Sequence, residues 1–264
     1  MVAFAAFAAF ATFGFAALCT CLLMVGPAHA QDRVRLASDE WCPFICARSG
    51  QVDKGLLIEM SEQILRRAGY QPESLLLPLN RAMLMAEEGQ IEGVYAPAID
   101  DRLIHSKPLF ESRACFYALT DNPWQFAGLA SLNGILVGAI DDYGYDAGPF
   151  DEWIEARKRE RSSGVHFSTG DTAGEKNIRM LLLGRLPVVI EHEAVAARLL
   201  AAQGTYAAAH VREAGCLPRA LPLVIGLSKT SPITPRLVQA INAGIEDFRK
   251  TPAYTALARK YMGR

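Results

Sequence analysis

The sequence predicts an α/β fold, and three observations carry that expectation. Short β-branched, apolar stretches alternate with segments whose apolar residues recur at helical spacing. This alternation runs twice, on either side of the turn-rich Asp121-Asn122-Pro123-Trp124. The chain then closes on two amphipathic helical segments. Alternating strands and helices favour mostly parallel sheets flanked by helices.

In chain order, VRLAS (33–37) reads as a strand. GLLIEMSEQILRRAGY (55–70) reads as a helix, with Leu56, Ile58, Met60, Ile64 and Leu65 on one stripe and Gly69 at its end. Strand SLLLPL (74–79), helix NRAMLMAEEGQ (80–90) and strand GVYAPA (93–98) complete the first unit, and ACFYALT (114–120) is a long strand leaving it. The second unit comprises strand ILVGAI (135–140), helix GPFDEWIEARKRE (148–160), strand VHFST (165–169), helix TAGEKNIRMLLLGR (172–185), strand LPVVIE (186–191) and helix AVAARLLAAQG (194–204). Strand LPLVIGLSK (221–229) returns to helices PRLVQAINAGIEDFRK and PAYTALARKYMG. Leu237, Ala240, Ile241, Ile245 and Phe248 share one face of the first of these, a core face.

Residues 1–28 contain no charged side chain, and Ala28-His29-Ala30 precedes the first charges at Asp32 and Arg33. Small residues spaced this way after an apolar run resemble a signal-peptidase site, so cleavage after Ala30 is expected. The run is also long enough for the alternative, a retained membrane anchor. Neither Cys19 nor Cys21 follows a lipobox. Removing 30 of the 264 residues leaves 234, enough for one large domain or two small ones. A formal net charge of −1 provides no field for nucleic acid or anionic lipid.

Four cysteines follow the signal: Cys42, Cys46, Cys115 and Cys216. An even number in an exported chain favours disulfides, with three possible connectivities. Cys42-x3-Cys46 is not a C-x-x-C redox motif, and His105, His166, His192 and His210 are too scattered to complete a zinc site. A small structural disulfide is the preferred reading of that pair, and Cys115 with Cys216 then follows by elimination. No metal or cofactor is expected. GILVGAIDDYGYDAG lacks the G-x-G-x-x-G spacing of a phosphate loop, and no Ser-His-Asp arrangement is indicated.

Several motifs then fall in a recognisable order. They are Trp41-Cys42-Pro43-Phe44, Gly55-Leu56-Leu57-Ile58-Glu59, EEGQIEGVYAPAIDDR (87–102), Ser131-Leu132-Asn133-Gly134, Leu182-Leu183-Gly184-Arg185 and the ending LVQAINAGIEDFRKTPAYTALARKYMG. In this order they resemble the type II periplasmic solute-binding proteins of the polar-amino-acid class, over residues 33–263. The resemblance implies two α/β lobes joined by two crossing strands, ACFYALT and LPLVIGLSK, with a ligand cleft between them. Residues 31–118 with 222–264 would form lobe 1 and residues 119–221 lobe 2. Cys115 and Cys216 would then both flank the hinge.

The same resemblance suggests site residues. Arg102 matches an arginine that forks onto a ligand carboxylate; the plainer alternative is a surface arginine beside Asp100 and Asp101. Arg81, in PLNRAM, matches an arginine at the cleft edge, although Leu79 replaces the tryptophan of that pattern. Trp41 stands where an aromatic stacks on the ligand, and the alternative is a core tryptophan; Phe44 reads as core. A Cys42–Cys46 bridge would restrain the loop presenting Trp41. Glu191 stands where a carboxylate pairs with the ligand ammonium, with His192 and Glu193 beside it. Tyr95, Tyr143 and Tyr145 are further candidates, Thr169 and Thr172 weaker ones. Ala96-Pro97-Ala98-Ile99 departs from the family pattern: no side chain there hydrogen-bonds, and Pro97 has no N–H. A small polar or acidic ligand other than an α-amino acid therefore stays open.

The expected function is capture of a small polar ligand in the periplasm for an ABC permease or another inner-membrane partner, by a monomer. Two alternatives remain. One is an enzyme on the same fold, resembling cyclohexadienyl dehydratases, with Glu191 or Glu193 as general acid. The other is a sensory or accessory subunit.

Overall fold

The computed structural model describes residues 1–2, 31–99, 101–160, 164–170 and 172–263. The expected export signal therefore lies outside the described residues, apart from Met1 and Val2. Among the described residues no helix is long and apolar enough to cross a membrane.

From Arg33 the chain runs β1 (Arg33–Ser38), β2 (Cys46–Arg48), β3 (Gln51–Lys54), α1 (Leu56–Arg67), β4 (Gln71–Leu76), α2 (Leu79–Glu87), β5 (Gly93–Tyr95) and β6 (Ile104–His105). Next come β7 (Phe110–Ser112), β8 (Ala114–Leu119), β9 (Val137–Ile140), α3 (Pro149–Glu160), β10 (Val165–Ser168), α4 (Ala173–Leu182), β11 (Val188–His192), α5 (Glu193–Ala202), α6 (Thr205–His210) and β12 (Val211–Cys216). The return is β13 (Leu221–Leu223), β14 (Ile225–Leu227), α7 (Thr234–Arg249) and α8 (Pro252–Met262).

Two mixed sheets result, as the strand-helix alternation predicts. The first has the order β4-β1-β5-β14-β6, with β1 parallel to β4 and β5 and with β14 antiparallel to its neighbours. The second has the order β10-β9-β11-β8-β12, parallel through β10, β9 and β11 and antiparallel from β11 to β8 and β12. A short antiparallel ribbon, β7 with β13, carries the chain from one sheet to the other and back. ACFYALT thus lies in the second sheet, and the outward crossing is made by β7. LPLVIGLSK divides into β13 in the ribbon and β14 in the first sheet. The expected strand SLLLPL shifts to Gln71–Leu76, and Leu79 opens α2 instead. Pro78 accounts for the break, because it cannot donate to a ladder.

The first core forms where the apolar stripe of α1 meets that of α7, burying Leu56, Met60, Ile64 and Leu65 with Leu237, Ile241, Ile245 and Phe248. Gly55, ahead of α1, has φ +149°, and a Cβ there would stand 2.2 Å from the Phe44 carbonyl oxygen. Only glycine lets the helix start this close to the Trp41–Ile45 loop. Both expected disulfides form, Cys42–Cys46 within that loop and Cys115–Cys216 between β8 and β12.

Candidate ligand-binding cleft

The first-sheet side presents one face of α2, with Leu79, Asn80, Met83, Leu84 and Glu87, together with Ala98, Ile99 and Arg102 after β5. Opposite stand the β9–α3 turn, with Asp142, Tyr143, Gly144 and Ala147, and the first turns of α3, with Asp151, Glu152 and Glu155. Between them is a cavity of about 810 Å³. Helical spacing explains both walls, since residues three and four apart in α2 and in α3 look the same way. Leu84 is 54% exposed and Ile99 42%, so the first wall offers apolar surface to whatever enters.

Arg102 pairs with Glu87 at 3.3 Å. Asp142 accepts from the Asn80 amide at 2.8 Å and from Lys158 Nζ at 2.6 Å. Burial pushes the Asp142 carboxyl up, but Lys158 and Asn80 outweigh it and hold the group below its ordinary range. Asp151 is turned inward, accepting backbone N–H bonds from Tyr145 and Ala147 at 2.8 Å each.

Beside the cavity lies a tight junction. The Tyr143 hydroxyl donates to Asp39 Oδ2 at 3.0 Å, joining the end of β1 to the β9–α3 turn. Trp41 meets the His192 ring edge-on at 5.0 Å and Tyr143 at 6.1 Å. His192 Nε2 lies 3.1 Å from the Gly144 carbonyl and Nδ1 2.9 Å from Ser112 Oγ. A carbonyl only accepts, so Nε2 carries the proton and Nδ1 accepts from the Ser112 hydroxyl. Burial keeps this imidazole neutral, pushed down to about 4. Burial likewise pushes the Glu191 carboxyl up to about 7, although Oε1 accepts from the His192 backbone N–H at 2.8 Å. The Trp41 indole N–H is near enough to favour the charged carboxylate, yet among the described residues it makes no hydrogen bond of normal geometry.

The predicted residues divide accordingly. Arg102 and Tyr143 line the large cavity, and Trp41 joins Tyr143 in an adjoining pocket of about 20 Å³. Glu191 is buried behind Trp41, and Glu193 pairs with Arg113 at 3.2 Å. Arg81 lies exposed on α2, off the cavity-facing side. Tyr95 is a core residue, its hydroxyl bonded to Ser74 at 2.8 Å and Ser61 at 3.3 Å, and burial pushes it up to about 12. Tyr145 is also fully buried, its hydroxyl accepting from the Ile140 N–H at 2.8 Å. Thr169 lines a pocket of about 100 Å³ with Asp39 and Asn80, and Thr172 stands before α4 without a side-chain cap bond.

Sequence reasoning missed Asp39, Asn80, Asp142, Glu152 and Glu155. The i, i+3 spacing of the last two at a helix start was the available signal. Ala96, Asp142 and Ala147 have φ of 45°, 63° and 47°, in the left-handed region disfavoured for side chains, and all three line the cleft. Such conformations concentrate at ligand sites.

No protein-family model and no curated protein matches the chain. Solved structures do match it. A histidine kinase sensor domain with similarity to periplasmic binding proteins superposes with a TM-score of 0.73 at 15% identity, over 88% of this chain and 97% of that one. An ancestral arginine-binding protein bound to arginine gives 0.69 at 20% identity, over 88% and 99%. The chain has the type II periplasmic-binding-protein fold. The arginine-, lysine-, histidine-binding protein ArtJ of Geobacillus stearothermophilus is similar to this binding-protein fold too, with a TM-score of 0.68 at 15% identity over 88% and 96%.

Proposed function

We propose that this chain is an exported solute-binding protein that holds a small zwitterionic or otherwise polar ligand in the cleft between its two sheets. The observation that carries the reading is the pair of unlike walls across about 810 Å³, with the Arg102–Glu87 pair on one and Asp142, Glu152 and Glu155 on the other. A ligand's negative end would meet the Arg102 guanidinium, its positive end the carboxylates, and its body the apolar surface of Leu84 and Ile99. In this reading residues 1–30 are the export signal, the parts of the chain that carry the first sheet (residues 31–109 and 224–264) form one lobe, and residues 114–216, which carry the second sheet and include β8, form the other, with β7 and β13 between them. Ligand favours the closed state by its differential affinity, and an ABC permease or a sensor protein at the inner membrane reads that state.

A thermal-shift screen of the chain from Gln31 against amino acids, carboxylates, amines and sugars tests the proposal. One class should stabilise selectively, by about 2.7 kcal/mol at a hundredfold excess over Kd. An unchanged shift in Arg102→Ala would overturn the assignment of the anion-binding wall. A lyase reading would draw on the Glu191 carboxyl, which burial pushes up to about 7, but that group is buried behind Trp41 and lines neither the large cavity nor the pockets beside it. A solved neighbour is an ancestral amino-acid-binding protein described as a precursor of cyclohexadienyl dehydratase. Turnover of a cyclohexadienyl compound, abolished in Glu191→Gln, would favour that reading over simple binding.

A further inference from the structure

The second sheet carries a further cluster at its β12 edge, none of whose residues lines the cleft or its adjoining pockets. Cys115 on β8 faces Cys216 on β12, and Tyr117 faces Glu213. In a regular strand, residues three apart point to opposite faces. Here the register shifts between Glu213 and Cys216, and Gly215 adopts φ +106°. The bulge returns Glu213 to the face of Cys216. As a result a carboxylate oxygen of Glu213 and the sulfurs of Cys115 and Cys216 all lie within 4.8 Å of one another. Cys115 is buried, Cys216 half-buried and Glu213 exposed, so the cluster opens to solvent on one side only.

We infer that this corner is a redox-gated metal site: with the disulfide intact it is a covalent cross-link, and once reduced it binds a soft divalent cation such as Zn²⁺. Two thiolates and a carboxylate are zinc ligands, and a tetrahedral ion with Zn–S near 2.3 Å needs ligand atoms roughly 3.5–4 Å apart. The carboxylate stands within 4.8 Å of both sulfurs, so a small side-chain adjustment brings it to that scale, and the sulfurs reach it by parting after their bond breaks. Water from the exposed side supplies the fourth position. The reductant is an external dithiol, which is oxidised to its disulfide as two electrons cleave the S–S bond. The two resulting thiols release their protons when the metal binds. Cys115 follows β7 by three residues and Cys216 precedes β13 by five. The ion therefore ties the same two strands at the root of the crossover that the disulfide ties. The inference stands independently of the proposed ligand in the cleft.

The test compares the oxidised chain with the chain reduced by a dithiol that is then removed. Co²⁺ added to the reduced chain should give thiolate-to-cobalt absorption at one ion per chain, and the oxidised chain should give none. Zn²⁺ should protect Cys115 and Cys216 from alkylation while Cys42 and Cys46 stay reactive, read by peptide mass. Glu213→Gln, an exposed edge position, should weaken Zn²⁺ at least about tenfold in a chelator competition. Absence of stoichiometric uptake, protection confined to Cys42 and Cys46, or an unchanged affinity in Glu213→Gln would each overturn the inference.

Discussion

The large cavity and the junction beside it share Tyr143 and Gly144 but are built on different physics. In the cavity, Arg102, Asp142, Glu152 and Glu155 are exposed, and Arg102 pairs with Glu87 at a solvated surface. In the junction, Trp41, Glu191 and His192 are each at least 92% buried, and burial sets the protonation of the last two. The junction therefore bears on stability and pH response, and the cavity, in the proposed function, on selectivity.

The largest effect should come from Trp41→Ala. Removing a ring packed on Phe44 at 4.6 Å and on His192 should cost about 3–5 kcal/mol in urea unfolding. A loss below about 1 kcal/mol would show that the junction is not a packed core. Glu191→Gln probes its electrostatics. The folded carboxyl titrates near 7 against an ordinary 4.5, so the folded state holds an extra proton between those values. That contribution is complete below pH 4.5 and is lost as pH rises through 7, and the variant lacks the loss. Its stability relative to the parent should rise by about 3 kcal/mol from pH 4.5 to pH 8. His192 works in the opposite direction, its contribution being lost as pH falls from 6.5 through 4. It is present in both proteins, so the difference isolates Glu191; a flat difference would contradict the buried placement of the carboxyl.

Tyr143→Phe removes a hydrogen bond to a carboxylate, and about 2 kcal/mol should be lost. The smallest stability change is expected at Arg102→Ala, under about 1 kcal/mol, because the Arg102 side chain is itself exposed and its ion pair with Glu87 is solvated. The same variant should nevertheless lose the ligand response. Reversal of that order, with Arg102 costing more than Trp41 in unfolding experiments, would dissolve the distinction between the two regions.

The elements were largely legible in the sequence because periodicity is local. The stripes of α1 and α7 and the alternation of strands follow from residues three, four or two positions apart. Both cysteine pairings were accessible from export logic and counting. The outward crossover strand β7 was not, since three residues are too short to show any period, whereas β13 lay within the expected return strand LPLVIGLSK. Site residues were harder for the same reason. Asp39 meets Tyr143 from 104 positions away and Asn80 meets Asp142 from 62. Tyr95 lies in a suggestive motif, but what removes it from the site is a bond to Ser74, 21 residues upstream. Only the folded chain brings those partners together.

The bond between Cys115 and Cys216, 101 positions apart with Cα atoms 3.8 Å from each other, closes nearly the whole second sheet into a covalent ring. A protease nick inside that ring leaves one molecule, not two, until thiol is added. The two ends of the ring also emerge side by side, so the segment behaves as a cassette plugged into its host at a single socket. Exchange of that cassette for the matching piece of another protein of this fold would require the two short connecting strands to be matched.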